Sequence, residues 1–392
     1  MSAPGAILTL AAGLAACAEG RGAPQLAGGP VFPANNVWNT RVDTLPVHSN
    51  SLLYVNTIGA SRTLHPDFGS GDWPTGSGSP IGIPFVVVPG TQAPASVTFT
   101  YSDESDPGPY PIPGNAPIEG GAASTGDRHV LVVDRDHRKL YELYAAYPGG
   151  DGSWRADSGA VFGLSTNSLR PAGWTSADAA GLPILPGLVR YEEVAAGALE
   201  HAIRFTAPQT RRGYVWPARH VASSLTGQQY PPMGQRFRLR SGYDVSGFSP
   251  AARTILVALK RYGMILADNG SAWYLSGAPD ERWNNDVLGE LKRVAGSDFE
   301  AVDVTPLMRG PDSAAVRYPQ PAIRGVSVRS DAINLTVADL FPGCDYMVER
   351  APELPSQEWG AAVGFRSEAT VTNGLRVPMA GLRAAFVRLG LR

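Results

Sequence analysis

The chain of 392 residues is long enough for two or three domains. Its 33 Lys+Arg against 35 Asp+Glu, a net charge of −2, provide neither the basic face a nucleic-acid binder needs nor an acidic tail. The 45 Gly and 34 Pro exclude a predominantly helical protein, because both residues are poor in helix interiors, and predict many turns.

Residues 6–16 form an apolar run of the length of a secretion signal core, ending in Leu14-Ala15-Ala16-Cys17, a pattern that resembles a lipoprotein lipobox. No Lys or Arg precedes the run, which departs from the usual signal. It is shorter than the roughly 20 apolar residues of a bilayer span. The pattern predicts a leader over residues 1–28, an extracellular or periplasmic location, and attachment to a membrane only through a lipid on Cys17. With Cys344 as the only other cysteine, a thiolate-rich zinc or iron–sulfur site is excluded, and no disulfide forms if Cys17 is lipidated or removed.

Residues 29–303 alternate short β-rich runs with Pro/Gly clusters. That rhythm predicts a mainly β fold, an antiparallel β-sandwich or barrel-like domain with a few short helices, rather than βαβ units. A helix is predicted over 51–58, with Leu52, Val55 and Ile58 facing inward. Strands are predicted over 83–88, 129–134 and 139–147, the polar residues 135–138 making a hairpin tip between the last two, and over 201–206, 213–216 and 236–240. Ser249-Pro250 opens a second helix with Ile255, Leu256 and Leu259 on its buried face before Gly263 stops it, and a strand over 264–267 follows. Residues 304–320 lose periodicity and carry Pro306, Pro311 and Pro319, which predicts a linker. Runs at 323–328, 333–337, 346–350 and 385–391 predict a small second β-sandwich over 321–392.

There is no Gly-rich phosphate loop, nucleophile elbow, HExxH or paired CxxC. The chemistry must then come from polar residues at strand ends and in loops. His65 and Asp67 flank Pro66; Asp127, Arg128 and His129 meet at the entrance of the most apolar strand. Tyr214 and Trp216 alternate along one strand, so both rings are expected on one face, with Arg219 and His220 beyond them. Asp268-Asn269-Gly270 reads as a hairpin turn that brings Trp273 and Tyr274 back beside Asp268. Arg170 and Trp174 lie in a Pro/Gly loop, and the adjacent Glu192 and Glu193 suit a helix start.

The segment ending in Phe386-Val387-Arg388-Leu389 resembles the fibronectin-III-like or immunoglobulin-like modules at the C-termini of bacterial secreted enzymes, which implies an accessory role. Residues 30–303 are similar to uncharacterised secreted bacterial all-β proteins, through LHPDFG (64–69), GDRHVLVVD (126–134), YVWPARH (214–220) and RYGMILADNG (261–270). That similarity implies no activity.

Export, a β body and eight Trp with fourteen Tyr favour an enzyme acting on a polysaccharide or oligosaccharide. A glycoside hydrolase needs two carboxylates. Asp127 and Asp268 are the candidates, with Asp67 as substitute, and His129, Tyr214, Trp216, Arg219, His220, Asn269 and Trp273 would hold the sugar without a cofactor. Three alternatives remain open. A polysaccharide lyase would use Tyr214 or His220 as base and Arg219 to neutralise a uronate. A metal enzyme would gather His65, His129 and His220, with His201 a further candidate. A non-catalytic surface lipoprotein would bind glycans on its aromatic faces.

Overall fold

A computed structural model of the chain describes residues 23–317 and, beyond them, 322–329, 331–338, 340, 345–351, 360–367, 371–378 and 386–391. Residues 1–22 of the expected leader, Cys17 with its expected lipid anchor, and Cys344 lie outside the described residues. Residues 23–28 belong to a short hairpin, Gln25–Leu26 pairing with Gly29–Pro30. Among the described residues no helix is long and apolar enough to cross a membrane. The chain divides into two units, one of Ala23–Val316 and one that contains Arg317–Arg392.

The larger unit is mainly β. Its principal elements in chain order are α1 (Ser51–Ile58), β1 (His65–Asp67), β2 (Phe85–Val88), β3 (Val130–Asp134), β4 (Lys139–Tyr144), β5 (Ser158–Gly163), β6 (Ile203–Ala207), β7 (Arg236–Leu239), α2 (Pro250–Arg261), β8 (Met264–Asn269), β9 (Tyr274–Ser276) and β10 (Phe299–Val302). A four-stranded sheet runs β5-β4-β3-β2 and a six-stranded sheet runs β10-β7-β8-β6-β9-β1. Antiparallel pairs predominate, but β2 with β3, β8 with β6 and β9 with β1 are parallel.

β3 is buried along its whole length, as its unbroken Val-Leu-Val-Val run requires. The core under the six-stranded sheet is aromatic. Trp273 stacks on Phe205 at 5.8 Å and on Phe299 at 5.3 Å, and Phe237 meets it edge-on. α2 buries Ala252, Ile255, Leu256 and Leu259 and ends where Gly263 takes φ +66, a conformation that glycine adopts without strain.

Several expectations are corrected. In α1 the buried positions are Ser51, Tyr54, Val55 and Ile58, so Leu52 lies off that stripe and is 69% exposed. The strand expected over 213–216 is Arg211–Tyr214, because a turn closed from Ala218 N to Val215 O takes the chain out of the ladder. β9 does not return beside β8; it pairs with β6 on the far side, so Asp268-Asn269-Gly270 is a crossover rather than a hairpin turn. The residues expected as a linker are ordered up to Val316. Thr305–Leu307 forms a short helical turn, Met308–Gly310 pairs with Ser313–Val316, and Ala315 bridges to Asn36.

The smaller unit holds two antiparallel three-stranded sheets. One joins Ala322–Val328, Ala332–Ala338 and Val371–Pro378, the other Gly360–Arg366, Asp345–Ala351 and Phe386–Leu391. Ile333, Leu335, Tyr346, Val348 and Val387, from both sheets, share one core.

Candidate functional site

β8 carries Asp268 to the end of the six-stranded sheet, where a register shift between Phe205 and Thr206 sets Thr206 opposite Asp268. Because β9 does not pair with β8, no strand covers the β6 edge of Asp268 except β6 itself, and that strand supplies Arg204. The Arg204 guanidinium is buried and spans three partners. It donates to both oxygens of Asp178 at 2.7 and 2.8 Å, to Ser276 Oγ at 2.7 Å and to Asp268 Oδ2 at 3.3 Å. One cation therefore serves two carboxylates. Burial and the neighbouring Asp178 push the Asp268 carboxyl up to about 7, although Arg204 opposes the rise. Asp268 keeps 23% of its side chain exposed, so it still reaches solvent.

It reaches solvent through a hollow of about 400 Å³, lined by Asp127, Asp268, Asn269 and His220 together with Glu104, Asp178, Tyr101 and Tyr144. Four of the expected site residues thus meet in one cavity. Asp127 is exposed at its rim. Burial first, then Asp127 and Asp268 among the nearby carboxylates, raises the Tyr144 hydroxyl, so both acids bear on one ring. Asn269 is fixed by Thr210 Oγ1, which donates to its Oδ1 at 2.8 Å, and by its own donation to Ala222 O at 2.7 Å. His220 Nδ1 lies 2.9 Å from Ala179 O, and its Nε2 is 3.8 Å from Glu104.

The floor is loop 175–179, tied down from below. Ser158 Oγ donates to Ser176 O at 2.7 Å, Ser176 Oγ to Leu182 O at 2.6 Å, and Thr175 N to Glu104 Oε2 at 3.0 Å. The fully buried Glu142 on β4 accepts from Ile184 N and Leu185 N at 2.9 to 3.0 Å. Burial drives this carboxyl up to about 7 against those hydrogen bonds.

His129 sits behind this floor rather than on it. Its Nδ1 is 2.5 Å from Glu119 Oε2 and its Nε2 is 3.0 Å from Ala177 O. Burial alone would lower its pKa, but the Glu119 charge and hydrogen bond outweigh burial and raise it to about 9. Glu119, Asp127 and His129 form the one group of three possible metal donors among the described residues, with donor atoms within 4.8 Å of one another. A metal there would need the Nδ1 lone pair. With Glu119 accepting from Nδ1 and Ala177 O from Nε2, both nitrogens act as N–H donors and the geometry fits an imidazolium.

The other expected residues lie elsewhere. His65 and Asp67 line a second hollow of about 860 Å³, where the His65 ring stacks on Tyr274 at 4.1 Å. Neither His65, His129 and His220 nor His201 gather around a point: His201 is buried against Ala202 O and Glu193. Trp273 is in the core with its Nε1 donating to Gly59 O, so it walls no cleft. Arg219 is buried and spends its donors on Arg170 O, Pro311 O and Asp312, which fixes the 308–316 hairpin and leaves no guanidinium for a ligand. Tyr214 is exposed at the end of its strand and Trp216 lies beyond it, donating to Ser313 O, so the pair shares no strand face. Arg170 supports the site from behind, binding Asp106, Glu104 O and Thr175 O. Glu192 and Glu193 lie in the first turn of the short helix Tyr191–Ala195.

Glu104, Asp178, Arg204, Glu119 and Glu142 went unread in the sequence. Two left a trace: Glu142 shares the apolar face of β4 with Leu140, and Arg204 stands between Ile203 and Phe205 in a central strand. Comparison with protein-family models, with curated proteins and with solved structures finds no match.

Proposed function

We propose that the hollow between Asp127 and Asp268 is the active site of an exported glycoside hydrolase. One observation carries the reading: a carboxyl held near half-protonation at neutral pH, Asp268, faces the same small cavity as a water-facing carboxylate, Asp127. Asp268 donates its proton to the leaving glycosidic oxygen as the C–O bond breaks. Asp127 either takes a proton from the water that adds to the anomeric carbon, or bonds to that carbon itself and is then released by water. Asp178 favours the protonated form of Asp268 by repelling its charge, Arg204 opposes it but orients the carboxyl through Oδ2, and Tyr101 and Tyr144 offer ring faces and hydroxyls to the sugar. Asp67 is not the partner of Asp268. It lies three strands across and two residues along the sheet, about 16 Å between backbones at the usual spacings, against a limit of roughly 9.5 Å for such pairs.

The lyase reading loses its cation, since Arg219 is committed to the 308–316 hairpin. The aromatic-surface reading loses its shared face at Tyr214 and Trp216.

The test is hydrolysis of a glycoside panel at pH 5 to 8 with Asp268→Asn and Asp127→Asn alongside. Asp268→Asn is expected to lose about 10²–10⁴ of turnover on natural glycosides. It should keep much more on aryl glycosides, whose leaving groups need no protonation. No cleavage by the wild type, or turnover retained in both variants, overturns the proposal.

A further inference from the structure

The second hollow is larger than the first, and one lining residue of each stands beside the other. Glu119 lines one and Asp127 the other, yet their carboxylate oxygens lie within 4.8 Å of each other. The six-stranded sheet explains the adjacency: β8, β6, β9 and β1 are consecutive, and they carry Asp268, Arg204, Tyr274 with Ser276, and His65 with Asp67. Asp268 and Asp67 therefore stand at the two ends of a span of about 16 Å, longer than one sugar ring. The second hollow has the fittings of a carbohydrate subsite. Trp73 is 74% exposed at its wall, the His65–Tyr274 stack presents a second flat face, and Asn285 and Ser70 add amide and hydroxyl groups.

Its charge selects among glycans. Asp67, Asp72 and Glu119 face one ammonium group, Lys292, while the first hollow presents Glu104, Asp127, Asp178 and Asp268. Arg204 and Arg170, the guanidinium groups bonded to lining residues of the first hollow, are buried and already paired. A uronate or sulfated chain would lay its anions against this row of carboxylates with Lys292 the one ammonium group among the lining residues.

We propose that the two hollows are successive halves of one groove for a polymeric glycan without anionic substituents, cut beside Asp268 and held further along by Trp73, Tyr274 and His65. This rests on the catalytic reading of the first hollow and adds the substrate class. Binding is measured by calorimetry on the Asp268→Asn protein, which holds its ligand uncut. The probes are the di- and hexasaccharides of the cello-, xylo-, manno- and chito-series, the last also deacetylated, with hexagalacturonate as the anionic control. At least one neutral or amino-sugar hexasaccharide is expected to bind roughly tenfold or more tighter than its disaccharide. Adding Trp73→Ala, a change at an exposed side chain, should erase that gain, and hexagalacturonate should bind at least tenfold more weakly. Equal affinity for short and long chains, a gain that survives Trp73→Ala, tight hexagalacturonate binding, or no binding by any probe overturns the groove. If it fails while the wild type still cleaves disaccharides and Asp268→Asn does not, only the groove falls. Length-dependent binding without hydrolysis leaves the groove standing and removes the catalytic reading.

Discussion

A single guanidinium is shared unequally by two acids. Asp178 takes both of its hydrogen bonds to Arg204 and is fully buried, so neutralising it would leave Arg204 with far less compensation. Asp268 receives the longer bond and lies at the cavity, where solvent can supply or remove its proton. The division makes a specific prediction. In Asp178→Asn the repelling charge disappears and Arg204 acts on Asp268 alone, so the Asp268 carboxyl should fall from about 7 toward the ordinary carboxylate range. On the proposed mechanism the donor is then lost at lower pH, so the alkaline limb of the pH–rate profile should move to lower pH. An unmoved limb, in an enzyme that still folds and turns over, would mean that Asp178 does not set the Asp268 proton. Removing Arg204 is a different experiment, since a buried carboxylate stripped of its partner costs about 3–5 kcal/mol of stability.

At the scale of elements, Trp273 separates structural aromatics from functional ones. It enters the core on the crossover from β8 to β9, at φ +60, and touches Phe205, Phe237 and Phe299 from three strands. Trp273→Ala should therefore cost about 3–5 kcal/mol in chemical denaturation; a loss of glycan affinity at unchanged stability would instead make it a site residue. Apolar runs revealed the strands expected over 129–134 and 264–267, which the structure gives as 130–134 and 264–269; apolar spacing revealed helix α1 over 51–58 and, with the Ser249-Pro250 cap, helix α2 with its Gly263 stop. Which strands become neighbours was not legible, because pairing depends on residues far apart in sequence. The Asp-Asn-Gly segment looks like any hairpin turn locally, while the structure inserts β6 between its two arms. The same limit governed the site. Asp127, His220, Asn269 and Asp268 were visible as polar residues at strand ends, whereas Asp178 sits in a small-residue loop with no local pattern. Trp273 and Arg219 were misread because an aromatic or a cation beside a turn looks the same in sequence whether it faces water or core.

Over the whole molecule, the buried ionisable groups leave a signature in the dependence of stability on pH. Glu142 and Asp268 are raised from 4.5 and 3.8 to about 7, and His129 from 6.5 to about 9. Each binds its proton more tightly in the folded chain, so its contribution is complete below the unfolded pKa and disappears as pH rises through the folded one. Below 6.5 other groups oppose this trend. His48 and His65 are lowered by burial, and Glu119 and Glu193 fall below their ordinary value despite burial, through His129 and through His201 with Arg190. Above 6.5 the two glutamates no longer titrate and the two histidines finish titrating, so His129 sets most of the slope, with the remaining loss from Glu142 and Asp268 near 7. Stability should then fall between pH 6.5 and 9 by on the order of 3 kcal/mol, at about 1.4 kcal/mol for each pH unit. Urea midpoints measured across that range test it, with Glu119→Gln as the control that removes the partner holding the His129 proton. The variant should be less stable at pH 6.5 and show little further loss toward pH 9. Glu142→Gln should flatten the curve mainly below pH 8 and leave the drop between pH 8 and 9 intact. A wild-type curve that stays level or rises from 6.5 to 9 would mean that His129 is neutral in the folded protein, and the imidazolium behind the cavity floor would have to be abandoned.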